Sequence, residues 1–199
     1  KANGTTTTLS TTLTTAQVRD GGAVIDSNGF NITIAKTLIH STIEGDNALD
    51  GGLTKKGLGT LTISGTEANT YTGITIINAG ELALSKTAGL NAIAGDITIG
   101  DGTTNSMLRL VNADQIADAS VITLNGTGAN AGVFRLNGKA ETLGGLSSTG
   151  GAGLVENENA TSIALTLNNS GTQTFSGILR NGTLAGTLAL IKNGAGTQI

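Results

Sequence analysis

His40 is the only histidine in the 199-residue chain, so it is the only imidazole that could act as the base of a Ser-His-Asp triad. The stretch TLIHSTIEGD places Ser41, Glu44 and Asp46 close to it in the sequence. A lone histidine in a strand-rich chain is more often a surface or turn residue than a general base. We therefore interpret His40 as non-catalytic and predict that the chain is not an enzyme.

Carboxylates in three places could bind calcium, which prefers clusters of oxygen ligands. The three pairs are Asp46 with Asp50, Asp96 with Asp101, and Glu156 with Glu158. None of them lies in the GGxGxDxUx nonapeptide of calcium-binding β-helices or in the closely spaced Asp ladder of an EF-hand. We therefore interpret them as solvated turn carboxylates and predict no metal site.

Other kinds of chemistry lack their usual residues. The glycine-rich stretches GTGANAG (126–132) and GGLSSTGGAG (144–153) have no P-loop lysine, so we interpret them as flexible turns. Cysteine is absent, which excludes disulfides and thiolate chemistry. A polysaccharide-cleaving site would need paired carboxylates, commonly with aromatic side chains for the sugar rings, and aromatic residues make up 2% of the chain. We expect no cofactor.

The charge pattern and the hydropathy narrow the class of partner. Charged residues are 13% of the chain, the formal net charge is −3 and no basic block appears, so nucleic acid is not an expected partner. No apolar run approaches the roughly 18 residues of a membrane-spanning helix, and the opening KANGTTTTLS lacks the apolar centre of a signal peptide. We expect no membrane insertion by this chain.

Short segments of alternating apolar and polar residues must form the scaffold. Examples are NITIAK (31–36), TLTIS (60–64), DITIG (96–100), VITLNG (121–126) and IALTLNN (163–169). This period of two is typical of half-buried strands, and turn dipeptides such as Asn125-Gly126 separate the segments. The best helix candidate, NADQIADAS (112–120), is interpreted as a loop that carries Ile116 inward.

Two all-β architectures fit this pattern, an antiparallel sandwich or barrel and a β-solenoid. The chain has 31 glycines, no proline and almost no aromatic residues, whereas a sandwich of this size usually has Trp or Tyr in its core and proline at its edges. Stacked coils need only a narrow aliphatic core. We predict a single β-solenoid domain over residues 1–199, with roughly seven to ten coils about 4.8 Å apart.

An internal repeat supports the solenoid. The stretch GLTKKGLGTLTISG, beginning at Gly52, aligns with LALIKNGAGTQI, beginning at Leu188. The best-defined repeat covers residues 52–84, and residues 188–199 are the start of a further copy. We therefore expect the chain to be a fragment of a longer rod.

The repeat closely resembles the autotransporter-associated β-strand repeat, also called the passenger-associated transport repeat, in its elements LTK, GTLTISG, NTYTG and NAGELAL. The departures are small: isoleucines at 74 and 76, and a slight insertion, TEA, at 66–68. The resemblance implies a right-handed parallel β-helix that is exported to a bacterial surface. The motif positions are Leu53, Lys55, Gly57, Gly59, Thr60, Leu61, Asn69, Tyr71, Gly73, Asn78, Gly80 and Leu82, with Lys192, Gly194 and Gly196 in the second copy.

With this resemblance, the expected function is that of a non-enzymatic extracellular stalk or adhesin segment. Its polar face, rich in Thr and Asn, would meet a receptor or glycan on a host or neighbouring cell. The alternative is a subunit of an extracellular filament, which self-associates by stacking its chain ends. A polysaccharide-degrading enzyme is a remote alternative, because it rests on analogy with other β-helices alone.

Overall fold

A computed structural model describes residues 6–8, 13, 15–127, 130–151 and 153–199. Every regular element within these ranges is a β-strand, and the strands stack in parallel as a β-solenoid of about eight turns. This confirms the predicted solenoid and excludes the antiparallel sandwich. No helix in the described ranges is long and apolar enough to cross a membrane.

The strands are numbered in chain order. They are β1 (Thr6–Thr8), β2 (Ala16–Val18), β3 (Ala23–Asp26), β4 (Asn31–Ile34), β5 (Leu38–His40), β6 (Leu53–Lys56), β7 (Thr60–Gly65), β8 (Thr75–Ile77), β9 (Gly80–Lys86), β10 (Ile97–Ile99), β11 (Ser106–Leu110), β12 (Val121–Thr127), β13 (Asn130–Arg135), β14 (Glu141–Leu143), β15 (Gly145–Thr149), β16 (Leu154–Glu156), β17 (Ile163–Leu167), β18 (Thr172–Gln173), β19 (Ile178–Arg180), β20 (Leu188–Lys192) and β21 (Thr197–Gln198).

Three sides of the solenoid are built from parallel strands of successive coils. The first side, sheet 1, has the order β1-β4-β7-β9-β11-β13-β16-β19. The second side, sheet 2, has the order β3-β6-β8-β10-β12-β15. The third side pairs β2 with β5 near one end and β14 with β17 and β20 near the other.

The core is a set of inward ladders in which each coil adds one side chain. In sheet 1, Leu61, Leu82, Leu108 and Phe134 occupy one such ladder in neighbouring strands, and all four are fully buried. Burial of each of these side chains stabilises the fold by about 1.5 to 3 kcal/mol. The ladder confirms the narrow, mostly aliphatic core that the composition predicts.

The loop at residues 112–120 also follows the prediction. It contains no helix, and Ile116 is fully buried and forms a parallel bridge with Ile93 on the third side. The backbone therefore keeps to the stacked-coil pattern even where regular strands are absent.

Candidate functional site

His40 contacts a carboxylate rather than the neighbouring serine. Its Nδ1 lies 2.9 Å from Asp50 Oδ2 and 3.4 Å from Thr72 Oγ1. The Ser41 hydroxyl instead donates to Gln17 Oε1 at 3.4 Å. A triad places its hydroxyl and its carboxylate on opposite ring nitrogens, whereas both groups lie at Nδ1 here. The His40–Asp50 contact joins two parts of one coil and does not have the geometry that activates a nucleophile.

Asp50 is a buried corner residue, which corrects the prediction of a solvated turn carboxylate. It is 5% exposed and accepts hydrogen bonds from the backbone N–H groups of Gly52, Thr72 and Gly73 at 2.7 to 2.9 Å. Burial alone would raise the pKa of Asp50, but hydrogen bonds from Thr72, His40 and the two glycines outweigh it and lower the pKa. The carboxylate fastens one coil to the next.

Two of the candidate carboxylates, Asp46 and Asp101, are bonded to other protein groups. The described residues bring together no group of three or more His, Asp or Glu side chains that could hold an ion. Asp46 pairs with Arg19, and that ion pair holds the pKa of the carboxyl at about 2. Asp101 accepts hydrogen bonds from Thr103 within its own turn, which lower its pKa.

An open groove of about 460 Å³ lies on the outer face of sheet 1. We call it the outer groove. One column of half-buried aliphatic side chains lines it, contributed by Met107 of β11, Val133 of β13 and Leu154 of β16, which are partners in the strand register. Leu58, which is 71% exposed, lies at its edge. The groove therefore combines an apolar column with the charged column beside it.

The charged column is held by a buried glutamate. Glu156 is 1% exposed, which corrects the prediction that it is solvated. Its Oε1 accepts from Nε and Nη2 of Arg135 at 2.9 and 2.6 Å, and its Oε2 accepts from the same atoms of Arg180 at the same two distances. Each arginine donates two hydrogen bonds to a different oxygen of Glu156, which offsets the burial of the carboxylate and holds both guanidinium groups in place.

Arg109 continues the charged column on the preceding coil. Its strand register places it directly beside Arg135, an arrangement of like charges that destabilises a sheet. Arg109 turns instead to Glu81, whose Oε1 lies 2.8 Å from its Nε and 2.6 Å from its Nη2. Each arginine of the charged column is therefore oriented by a glutamate.

The sequence carries a signal for these arginines that the motif search missed. The stretches MLRLVN (107–112), VFRLNG (133–138) and ILRNG (178–182) share an arginine at the third position, and LVEN (154–157) has glutamate there. Alignment of these four strands would have predicted one charged column. The spacing between the strands varies, so the alignment becomes visible only in the register of sheet 1.

The repeat motif builds a corner around a buried lysine. Lys55 is fully buried in β6, between Ile25 of β3 and Ile77 of β8 in the register. Its Nζ donates to Ser27 Oγ, Lys56 O, Gly57 O and Ala79 O at 2.6 to 3.1 Å. Burial lowers the pKa of Lys55 to about 8. The ammonium group thus links three successive coils.

The second copy of the motif repeats this contact. Lys192 Nζ donates to the carbonyl oxygens of Asn193 and Gly194, the same relative positions that Lys55 reaches in its own turn. At the first corner Gly57 has φ +76°, and a Cβ on Gly59 would lie 2.0 Å from Phe30 O. The motif residues at this corner therefore have structural roles.

The NTYTG element forms another junction between coils. Asn69 accepts from Leu38 N at 2.9 Å and donates to Ala92 O at 2.8 Å, which are groups on the coils before and after it. Tyr71 is fully buried, and its hydroxyl lies 2.6 Å from Thr75 Oγ1. The remaining motif glycine of this element, Gly73, donates to Asp50. Here the side-chain amide of Asn69 makes the bonds between coils that backbone groups make in the strands.

One further buried acid lies on the third side. Glu141 is 3% exposed and accepts from the backbone N–H groups of Gln115 and Thr142 at 2.8 and 3.1 Å. Burial raises the pKa of Glu141 to about 8 despite these hydrogen bonds. Its role is to satisfy backbone donors at a corner.

Residues 53–84, which build the lysine corner and the NTYTG junction, match the model of the passenger-associated-transport-repeat family. Over 161 residues the chain is 30% identical to the protein named Adhesin BmaC autotransporter of Brucella suis biovar 1 (strain 1330). The chain contains a passenger-associated transport repeat, and it is similar to an autotransporter adhesin over most of its own length. The aligned part of this repeat protein is 81% of its length and 4% of the relative. No solved structure matches it significantly.

Proposed function

We propose that this chain is a non-enzymatic, surface-exposed segment of an autotransporter adhesin passenger, which supplies rigid length and an adhesive face. The observation that carries the proposal is the unbroken eight-strand parallel ladder of sheet 1 among the described residues. The similarity to a protein named as an adhesin autotransporter supports the surface location and the adhesive role.

Rigidity follows from how the coils are joined. Each coil is bonded along three sides, and Lys55 and Asn69 each join three successive coils through side-chain hydrogen bonds. About eight turns at ~4.8 Å each give a rod of about 38 Å. A rod joined in this way resists bending, which suits a stalk.

The adhesive face has two candidate surfaces. One is the outer groove. The other is a column on sheet 2, formed by Thr54, Ile76, Thr98 and Thr123 in that order along the register. A column of hydroxyl groups suits hydrogen bonding to a receptor or to a glycan. Both surfaces run across several successive coils, which favours extended partners.

A non-enzymatic role is supported by the way the groove carboxylates are bonded. Glu81 and Glu156 are each bonded to arginine, not to one another. A glycosidase needs one carboxyl group that donates a proton and another that is free to act as nucleophile or base. Arginine pairs satisfy both carboxylates in their charged form and remove that division of roles.

Beads coated with the purified protein test the proposal. We expect them to adhere to host or neighbouring bacterial cells more than beads coated with the same protein after heat unfolding. Electron microscopy over a concentration series should give short rods of one length. Equal adherence of folded and unfolded coatings would refute the adhesive role, and fibres that lengthen with concentration would favour the filament alternative.

A further inference from the structure

We propose that the outer groove binds an extended protein segment in which acidic side chains lie next to aliphatic ones. The inference rests on the proposed adhesive function and names the class of partner for one of its two surfaces. It is carried by two adjacent columns of sheet 1, one apolar and one rich in arginine.

The apolar column lies on the outer face of sheet 1, away from the core. Met107, Val133 and Leu154 point away from the core ladder, and Ile178 continues the column on the next coil with 61% of its surface exposed. Outward positions of a solenoid strand are normally polar because they face water. Four aliphatic side chains in register form a strip about 14 Å long that an apolar partner would cover.

The arginine column supplies pre-arranged donors. Glu156 occupies the Nε and Nη2 edge of Arg135 and of Arg180, and no described residue bonds to Nη1 of either side chain. The Arg180 side chain is 54% exposed, whereas the glutamate beneath it is buried. The guanidinium groups are thus held in place before a ligand arrives, which lowers the entropy lost on binding.

The groove offers free donors to an acidic partner. Among the side chains that line it, Arg135 and Arg180 balance the carboxylates of Glu81 and Glu156, so these lining residues carry no net charge. The Nη1 groups of the two arginines, to which no described residue bonds, are the donors that select a carboxylate. Carboxylates pair with guanidinium groups in a bidentate geometry and would add to the existing pairs.

A protein segment fits better than an anionic glycan. No aromatic side chain lines the groove, so none is placed to stack on a sugar ring there. Tyr71 and Phe134 are fully buried in the core. An anionic glycan would also gain little from the column of Met107, Val133 and Leu154. Aliphatic side chains of a peptide would desolvate that column while its carboxylates reach the arginines.

A short capped peptide of alternating glutamate and leucine is the probe. Isothermal titration measures its binding to the folded chain, with two control peptides in which glutamine replaces glutamate or serine replaces leucine. The test variant is Arg180→Gln, since Glu156 keeps its bonds to Arg135. The matched control variant is Arg19→Gln, because Arg19 pairs with Asp46 outside the groove.

We expect saturable binding of the glutamate–leucine peptide that weakens about tenfold or more in Arg180→Gln and is unchanged in Arg19→Gln. Both control peptides should bind at least several-fold more weakly. Absence of saturable binding, equal binding to both variants, or binding of a heparin fragment in place of the peptide would overturn the inference. If the beads adhere but the peptide does not bind, the groove inference fails while the adhesive function stands. If the peptide binds but the beads do not adhere, the adhesive function fails while the groove inference stands.

Discussion

Replacement of Lys55 by methionine separates two opposing effects of a buried ammonium group. Methionine fills the space in a column whose neighbours are Ile25 and Ile77, but it donates no hydrogen bond. The Lys56 carbonyl keeps a bond from Ser27 N, whereas Gly57 O and Ala79 O lose the donor that Lys55 supplies. Both of these residues are half-buried.

The size of the effect depends on pH. A fully buried carbonyl without a donor costs about 1 to 3 kcal/mol, so the loss of two bonds to half-buried residues should destabilise the variant by less than about 6 kcal/mol. The wild-type chain bears a cost of its own, since burial lowers the pKa of Lys55 from 10.5 to about 8. That difference corresponds to about 3 kcal/mol, which the wild type loses below pH 8 and recovers as pH rises toward 10.5.

Urea unfolding at pH 7 and at pH 10 measures the balance. We expect the stability of Lys55→Met relative to the wild type to fall by about 2 to 3 kcal/mol from pH 7 to pH 10, because the wild type loses most of the cost of its buried charge over this range. Lys56→Met is the matched control, because Lys56 is exposed in the same strand. A difference between Lys55→Met and the wild type that does not grow with pH would refute this reasoning.

Two other predictions concern positions whose surroundings are equally specific. Gly59→Ala should lower the unfolding free energy by about 2 to 3 kcal/mol, because the new Cβ would lie 2.0 Å from a backbone oxygen. Gly21→Ala, with nothing within 4 Å of its Cβ, should stay within about 0.5 kcal/mol in the same urea titration. Glu141 has a folded pKa of about 8 against an ordinary 4.5, so it contributes a loss of wild-type stability as pH rises between these values. Glu141→Gln should remove that loss, so its stability relative to the wild type should rise by up to about 4 kcal/mol from pH 4 to pH 8. Its NH2 group cannot accept one of the two backbone bonds, which lowers the stability of the variant equally at both pH values. Thermal unfolding across this pH range would contradict the assignment if the two curves ran parallel.

Tertiary structure overturned part of the interpretation of the carboxylates. Asp50 and Glu156 look like solvated turn residues in the sequence because their neighbours are polar and small. Both are buried, since groups on other coils supply their hydrogen-bond donors: Thr72 for the first and two arginines for the second. A local pattern carries no information about donors that lie a full coil away.

The sequence by itself determined the class of fold and the type of repeat at residues 53–84. Alternation with a period of two, abundant glycine without proline, and the motif between Leu53 and Leu84 are local features, and each strand and corner depends on a few adjacent residues. The repeat can therefore be recognised without knowing how the coils stack.

Only the tertiary structure decided which strands lie side by side. Aligned core positions of sheet 1 are about 21 to 29 residues apart, as from Ile32 to Leu61 and from Leu61 to Leu82, so counting along the chain cannot set the register. A slip of one coil or of two residues would leave aliphatic side chains inside and cost little in the core. The outer groove exists because backbone pairing fixed one register, which brought Arg109, Arg135 and Glu156 into a single column.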